Sequence, residues 1–266
     1  MNFSKRLLLH VALALSVVLA GCASTVPALD PQARAALVPT GTLRVGVYPG
    51  SPTSLVRDAK GEKAGVALDL GNALGKQLGV PVQVVEFARL ALVLDALKAG
   101  QIDFTFANAT PVRAKDVDFT PALVQLELGY LVPTGSAIVK PEDVDKSGVR
   151  VGVSQGSSSQ GVLSQAYQSA TIVPAASISQ AQEMLLARKV DAFATNKGIL
   201  FEMLVGLPNH RILDGRWGLE NLAIAVPQGR SVAMPYLQEF AQQVRSNGVL
   251  QAAVSRAGLR GTAQAQ

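Results

Sequence analysis

"GTLRVGVYPGSPTSLVRDAKGEKAGVALDLGNALGKQLGVPVQVVEF" (residues 41–87) holds one full unit of the pattern that decides the fold. Residues 42–48 are mostly apolar and β-branched and read as a strand, which "PGSPTS" (49–54) ends. Val66, Leu70, Leu74 and Leu78 recur every fourth residue, the stripe of a helix buried on one face, and Gly79 stops it. "VPVQVVEF" (80–87) is the next strand. Beyond it, "LALVLDALKAG" (90–100) reads as a helix closed by Gly100, and "IDFTF" (102–106) as a third strand. Strand and helix alternate, which predicts parallel β-α-β units.

The same alternation restarts at "GVRVGVSQG" (148–156), a strand running into a glycine turn. "SSSQGVLSQAYQ" (157–168) is a helix, "ATIVPA" (170–175) a strand, and "SISQAQEMLLARK" (177–189) a helix whose Ser-x-x-Gln start resembles a capping box. "VDAFATN" (190–196) is a strand. No clear sequence repeat accompanies the restart. The expected fold class is α/β, with two α/β lobes in tandem. "LGYLVPTGSAIV" (128–139) carries the chain across and "LENLAIAVPQG" (219–229) returns it; the last helices, within residues 232–259, pack back on the first lobe. Lobe 1 is expected over residues 41–131 plus 222–262 and lobe 2 over 132–221. Two crossings make a hinge, and the cleft between the lobes is the default ligand site.

The composition is globular: 266 residues, 48% hydrophobic and 16% charged. A net charge of +5 without a long basic cluster does not suggest nucleic acid. "MNFSKR" followed by the apolar stretch Leu7–Ala20 reads as a signal peptide, too short for a spanning helix. "LAGC" (19–22) brings small residues up to Cys22, the single cysteine of the chain, and resembles the lipobox of bacterial lipoproteins. That resemblance implies cleavage after residue 21, lipidation of Cys22 and a lipid anchor on the periplasmic side of a bacterial membrane. Residues 22–40, rich in Ala and Pro, read as a tether.

"GTLRVGVYPGSP", "GVALDLGNALGKQLGV", "LDALKAGQIDFTFANATPVRAKDVDFTPAL", "GVRVGVSQGSSSQ" and "ARKVDAFATN" occur in an order and spacing that resemble the family 3 extracytoplasmic solute-binding proteins, the amino-acid receptors of ABC importers. The resemblance runs from about residue 41 to residue 259. It implies the type II periplasmic-binding-protein fold, a small carboxylate or amino-acid ligand, a membrane permease as partner, a monomer and no cofactor. A ligand-binding partner of a membrane sensor uses the same cleft, as does a periplasmic cyclohexadienyl or arogenate dehydratase.

Thr110-Pro-Val-Arg113 matches the family's carboxylate-binding motif. A planar guanidinium pairs with a carboxylate through two parallel charge-assisted hydrogen bonds. Asn108 offers a hydrogen bond to the ligand or shapes a turn. Thr110 touches the ligand or caps the next helix. "QGSSSQ" (155–160) matches the second-lobe turn that receives the ligand carboxylate, with Ser157 and Ser158 at the matching positions; a helix start with free N–H groups attracts anions. Tyr48 and Ser51 stand near positions where the family carries an acid and an aromatic residue. Asn196 stands where the family's amino-acid receptors place an aspartate for the ligand ammonium. Ala67 replaces a further acid, and Asp69 reads as structural. The cation-binding half of an amino-acid site is therefore expected to be largely missing, favouring a carboxylate or other small anion. Arg89 is a second candidate contact for such an anion.

Enzyme chemistry lacks parts. His210 is the one histidine outside the leader and reads as a solvated loop residue. "GSSSQG" (156–161) is not a nucleophile elbow, because its second glycine falls one place late. No metal-ligand cluster is visible. Glu86 and Glu202 are the acid candidates for a dehydratase, and neither sits in a convincing motif.

Overall fold

The computed structural model describes residues 30–58 and 60–263. The leader and Cys22 lie outside the described residues. Lobe 1 holds α1 (Pro31–Leu37), β1 (Leu43–Val47), β2 (Val56–Arg57), β3 (Lys63–Ala64), α2 (Val66–Leu78), β4 (Val82–Glu86), α3 (Leu90–Lys98), β5 (Thr105–Asn108) and β6 (Val117–Phe119). β7 (Val124–Pro133) crosses into lobe 2, which holds β8 (Arg150–Ser154), α4 (Ser158–Ala166), β9 (Thr171–Ala175), α5 (Ile178–Leu186), β10 (Ala192–Asn196), α6 (Lys197–Met203) and β11 (His210–Ile212). β12 (Gly218–Pro227) returns the chain, and α7 (Met234–Ser246) and α8 (Val249–Arg256) close lobe 1. Among the described residues no helix is long and apolar enough to cross a membrane.

The hinge is built into the register of the two long strands. β7 and β12 pair antiparallel over Val124–Leu128 and Gly218–Leu222. Past that overlap β7 pairs with β10 and β11 in lobe 2. β12 pairs with β5 and β6 in lobe 1. β1–β4 and β9–β8–β10 are parallel, as βα alternation requires. Helices cover both faces of each lobe, so apolar clusters lie on both sides of each sheet.

The structure reveals a repeat that the sequence pattern had not. At the start of β1, Arg44 wraps Asp103: its backbone N and Nε donate to Oδ2 at 3.0 and 2.8 Å, and Nη2 to Oδ1 at 2.8 Å and to the Gly100 carbonyl at 2.8 Å. At the start of β8, Arg150 holds Asp191 in the same way and caps the Arg188 carbonyl. Each clamp ties the first long strand of a lobe, β1 or β8, to the turn before β5 or β10. "LRVGV" and "VRVGV" are therefore equivalent pieces. In lobe 1 a third residue, Arg230, reaches Asp103 at 2.8 Å, and the carboxylate is fully buried.

Two expectations fail here. Residues 31–37 do not behave as tether: they form α1, capped by Asp30, with Ala33 and Leu37 buried in the lobe 1 core. The physical reason is that Ala33 and Leu37 lie four apart on one helical face and meet the core. His210 is not a solvated loop residue. It belongs to β11, both ring nitrogens are buried without a partner, and burial lowers its pKa. Asp69 is structural as expected, paired with Arg256 of α8.

Candidate ligand-binding site

The site lies between the lobes, where β1, β5, β8, β10 and the hinge strand β12 present their ends. An inner cavity of about 30 Å³, roughly the share of one water in the liquid, is lined by both lobes. An outer cavity of about 530 Å³ shares Ser157 and Ser158 with it and adds Thr110 and Arg113. The lobes are closed on one another. Asn108 Nδ2 of lobe 1 donates to Ser158 Oγ of lobe 2 at 3.4 Å. The loops after the two first strands also cross the cleft: Gly50 faces Ile178 and Gly156 faces Ala91, and a Cβ on either glycine would come within 3.0 or 2.6 Å of the opposing side chain. The two contacts are reciprocal, each joining a βα loop of one lobe to a helix start of the other.

Arg113 opens a short 3-10 turn, its N–H held by Thr110 Oγ1 at 3.2 Å. Its Nη1 donates to the Asn108 carbonyl at 3.0 Å, which fixes the guanidinium at the end of β5. Its Nη2 is buried and has no partner. Burial pulls its pKa down, partly offset by Glu220 and Tyr48 nearby, and a guanidinium stays charged regardless. Among the described residues five buried side-chain polar atoms lack a partner, and three belong to residues at this cleft: Arg113 Nη2, Arg89 Nε and Ser154 Oγ. Buried donors are normally satisfied, so their concentration here marks a surface made to be covered.

The other expected residues divide. Asn108 is buried at the cleft; its Oδ1 accepts from Asn221 N at 2.9 Å, so it also pins β12 to β5. Thr110 caps the turn. Ser157 is the N-cap of α4, accepting from Gln160 N at 3.1 Å. Tyr48 lines the inner cavity, and burial pushes its pKa up. Arg89 lines it too. Ser51 does not: it is fully buried behind Thr53, the two hydroxyls 2.8 Å apart, and Thr53 is the residue that faces the cleft.

Two expectations are corrected. Ser158 Oγ donates to Glu220 Oε1 at 2.8 Å, so its hydroxyl is committed to a carboxylate of the chain itself. On lobe 2 the N–H groups of the first turn of α4 and the unpartnered Ser154 hydroxyl remain for an anion. Asn196, a candidate ligand contact at the position of the family's aspartate, turns no free acceptor to the cleft. Its Oδ1 instead caps α6 at Ile199 N, 3.0 Å away, and its Nδ2 donates to Glu220 Oε2 at 2.9 Å.

Glu220 is the residue the sequence reading missed. It sits on β12 at the crossing, 7% exposed, with its carboxylate lining the inner cavity. The cation-binding half of the site is thus not bare: a buried acid stands beside Asn196, supplied by the hinge strand. A signal was present. Along "GLENLAI" the inward phase set by Leu222 and Ile224 falls on Glu220 and leaves Leu219 outside, inverting the usual polarity. The two acids that were named instead lie elsewhere. Glu86 is exposed and pairs with Lys63, and Glu202 lines a separate interlobe cavity beside Gly50 and Ile178 rather than the two cavities that hold Arg113 and Glu220. Among the described residues no His, Cys, Asp or Glu cluster fits a metal.

The family model for bacterial extracellular solute-binding proteins, family 3, matches residues 43–257. An L-arginine-binding protein of Pseudomonas aeruginosa is 26% identical over 223 residues, covering 77% of this chain and 83% of that one. Among solved structures, an ancestral arginine-binding protein bound to glutamine superposes with a TM-score of 0.72 at 26% identity, covering 81% of this chain and 96% of the other. An ancestral amino-acid-binding protein, a precursor of cyclohexadienyl dehydratase, superposes with a TM-score of 0.72 at 25% identity, covering 84% and 97%.

Proposed function

The chain belongs to the bacterial extracellular solute-binding proteins, family 3, and from that premise we propose that it is the solute-binding component of an ABC importer. It clamps a small carboxylate-bearing solute between its lobes and presents the closed form to a membrane permease. Binding favours closure because only the closed state lets one ligand touch both lobes. The observation that carries the reading is Arg113 Nη2, a buried guanidinium nitrogen without an acceptor at the mouth of an interlobe cleft. A carboxylate there gains a charge-assisted hydrogen bond from Arg113 and meets the N–H groups at the start of α4. The protein works as a monomer on the periplasmic side of the membrane, held by a lipid on Cys22.

The dehydratase reading needs a proton donor in the cleft. Glu220 is the acid that lines the inner cavity, and both its oxygens already accept hydrogen bonds, which holds it as an acceptor. That favours a receptor over an enzyme.

The test is calorimetry of wild type and Arg113→Ala against carboxylate solutes. Charge-assisted hydrogen bonds contribute about 1.5–3 kcal/mol each, so Arg113→Ala should weaken binding by roughly ten- to 150-fold with the fold intact by circular dichroism. Unchanged affinity would remove Arg113 from the site and the function with it.

A further inference from the structure

The two long strands are not the only link between the lobes. Past α8 the chain turns at Gly258, φ 61°, and runs back along the hinge. The Gly261 carbonyl accepts from Glu127 N at 2.9 Å, and Ala263 N donates to the Gln125 carbonyl at 2.9 Å. This antiparallel bridge sets Thr262 opposite Leu126. Leu126 also stands opposite Glu220 where β7 pairs with β12. A strand residue offers two edges, so the tail takes the edge that β12 leaves, and the hinge is three-stranded at this point.

The same segment grips the first turns of α6 in lobe 2. Leu259 belongs to the lobe 1 core, yet it reaches Gly198 so closely that a Cβ there would lie 2.7 Å from Leu259 Cδ1. A Cβ on Gly261 would collide with Lys197 Cβ, and the φ of 78° at Gly261 also favours glycine. The Arg260 guanidinium stands 4.2 Å from the centroid of the Phe201 ring and donates to the Phe201 carbonyl at 3.2 Å. Lys197 donates to Glu127 of β7 at 2.6 Å. Asn196 and Ile199, on the other side of that helix, line the inner cavity of the cleft. The start of α6 is therefore held from behind by the tail and faces the cleft in front.

We propose that residues 259–263 are a third interlobe link, a strap that holds lobe 2 at its closed angle and seats the start of α6 against the cleft. Opening turns lobe 2 about β7 and β12. The bridge to β7 lies at the pivot, whereas α6 swings with its lobe. Leu259 is fixed in lobe 1, so the contacts of Leu259 with Gly198 and of Arg260 with Phe201 belong to one lobe angle and are given up as the cleft opens. Contacts made in one state alone shift the equilibrium toward that state.

The experiment is pulsed dipolar electron spin resonance on the purified protein without added solute. Cys22→Ser removes the single cysteine of the chain, so spin labels attach only at Ala99→Cys and Gln165→Cys. Both positions are exposed, at the ends of α3 and α4 in opposite lobes. Arg260→Ala, at an exposed residue, should lower the ratio of closed to open distances roughly two- to fivefold, the bias that one cation over an aromatic face supplies. Ending the chain after Leu259 keeps that buried side chain, removes both bridge hydrogen bonds as well, and should lower the ratio about tenfold or more. Circular dichroism checks that each variant is folded, and Arg260→Ala decides alone if the shortened chain is not. A ratio that Arg260→Ala leaves unchanged or raises overturns the proposal. So does a folded shortened chain with the distances of the full-length protein.

Discussion

Replacing Asp103 by Asn should destabilise the protein far more than the same change at Asp191, although the two carboxylates are held by the same arginine geometry. Asp103 accepts four hydrogen bonds, from Arg44 N, Nε and Nη2 and from Arg230 Nη2, at 2.8 to 3.0 Å. Its side chain is 0% exposed, with Arg44 at 18% and Arg230 at 10%. Removing its charge leaves two poorly solvated guanidinium groups without a counter-ion, and breaking a buried pair in this way costs about 3–5 kcal/mol. Asp191 accepts three bonds from Arg150, but the pair is 35% and 43% exposed, so water takes over and the cost is roughly 1 kcal/mol or less. For a chain of this size 1 kcal/mol moves the melting temperature by about 2–4 °C. Thermal unfolding followed by circular dichroism at pH 7 should therefore show a loss near 10 °C for Asp103→Asn and no more than about 4 °C for Asp191→Asn. The sign with pH follows from the carboxylate. Burial pushes the Asp103 pKa up, but the hydrogen bonds of Arg44 and Arg230 outweigh that and hold it below the usual range. Its stabilisation is thus full above the unfolded carboxylate value near 3.9 and is lost as pH falls through the lower folded value. The gap between wild type and Asp103→Asn should close only in strong acid. Equal shifts for the two variants at pH 7 would refute the claim that burial, not geometry, sets the strength of the clamp.

Gly156→Ala places a Cβ 2.6 Å from Ala91 Cβ in the closed state, against a comfortable carbon separation of about 3.5–4.0 Å, so it should hinder closure and weaken solute binding roughly tenfold. Gly156 also sits at φ 73°, which alanine adopts only with strain, so adding Ala91→Gly, which leaves Cα at 3.9 Å as the nearest atom, should restore part of the affinity; a double variant as weak as the single one shows that the backbone and not the contact limits closure. Cys22→Ser should move the protein from the membrane to the soluble fraction of a fractionated cell, and a normally processed variant that stays on the membrane ends the lipid-anchor assignment.

Much of the fold was legible because its rules are local. The four-residue leucine stripe of α2 needs only one buried face, and Gly79 ends the helix in the left-handed conformation that glycine adopts freely, φ 63°. Ser177 and Gln180 announce the start of α5, where Ser177 Oγ accepts from Gln180 N and Gln180 Oε1 accepts from Ala176 N, one residue beyond the cap. Arg113 was legible through its motif. α1 was not, since seven residues of Ala-rich chain carry too short a stripe to distinguish a helix from a linker.

Asn196 shows where reading by position stops. Its side chain stands where an acid was expected, and taken alone it implies a site without a countercharge for a cation. The sequence by itself determined two lobes, two crossings and an arginine just past the end of β5, because strand period, helix period and motif spacing each act over a few residues. Only the tertiary structure decided which charge faces that arginine. Glu220 lies 107 residues further along the chain than Arg113, and it meets Ser158 and Asn196 solely because β12 crosses the hinge in one register. A slip of one residue would turn its carboxylate to the opposite face of the sheet.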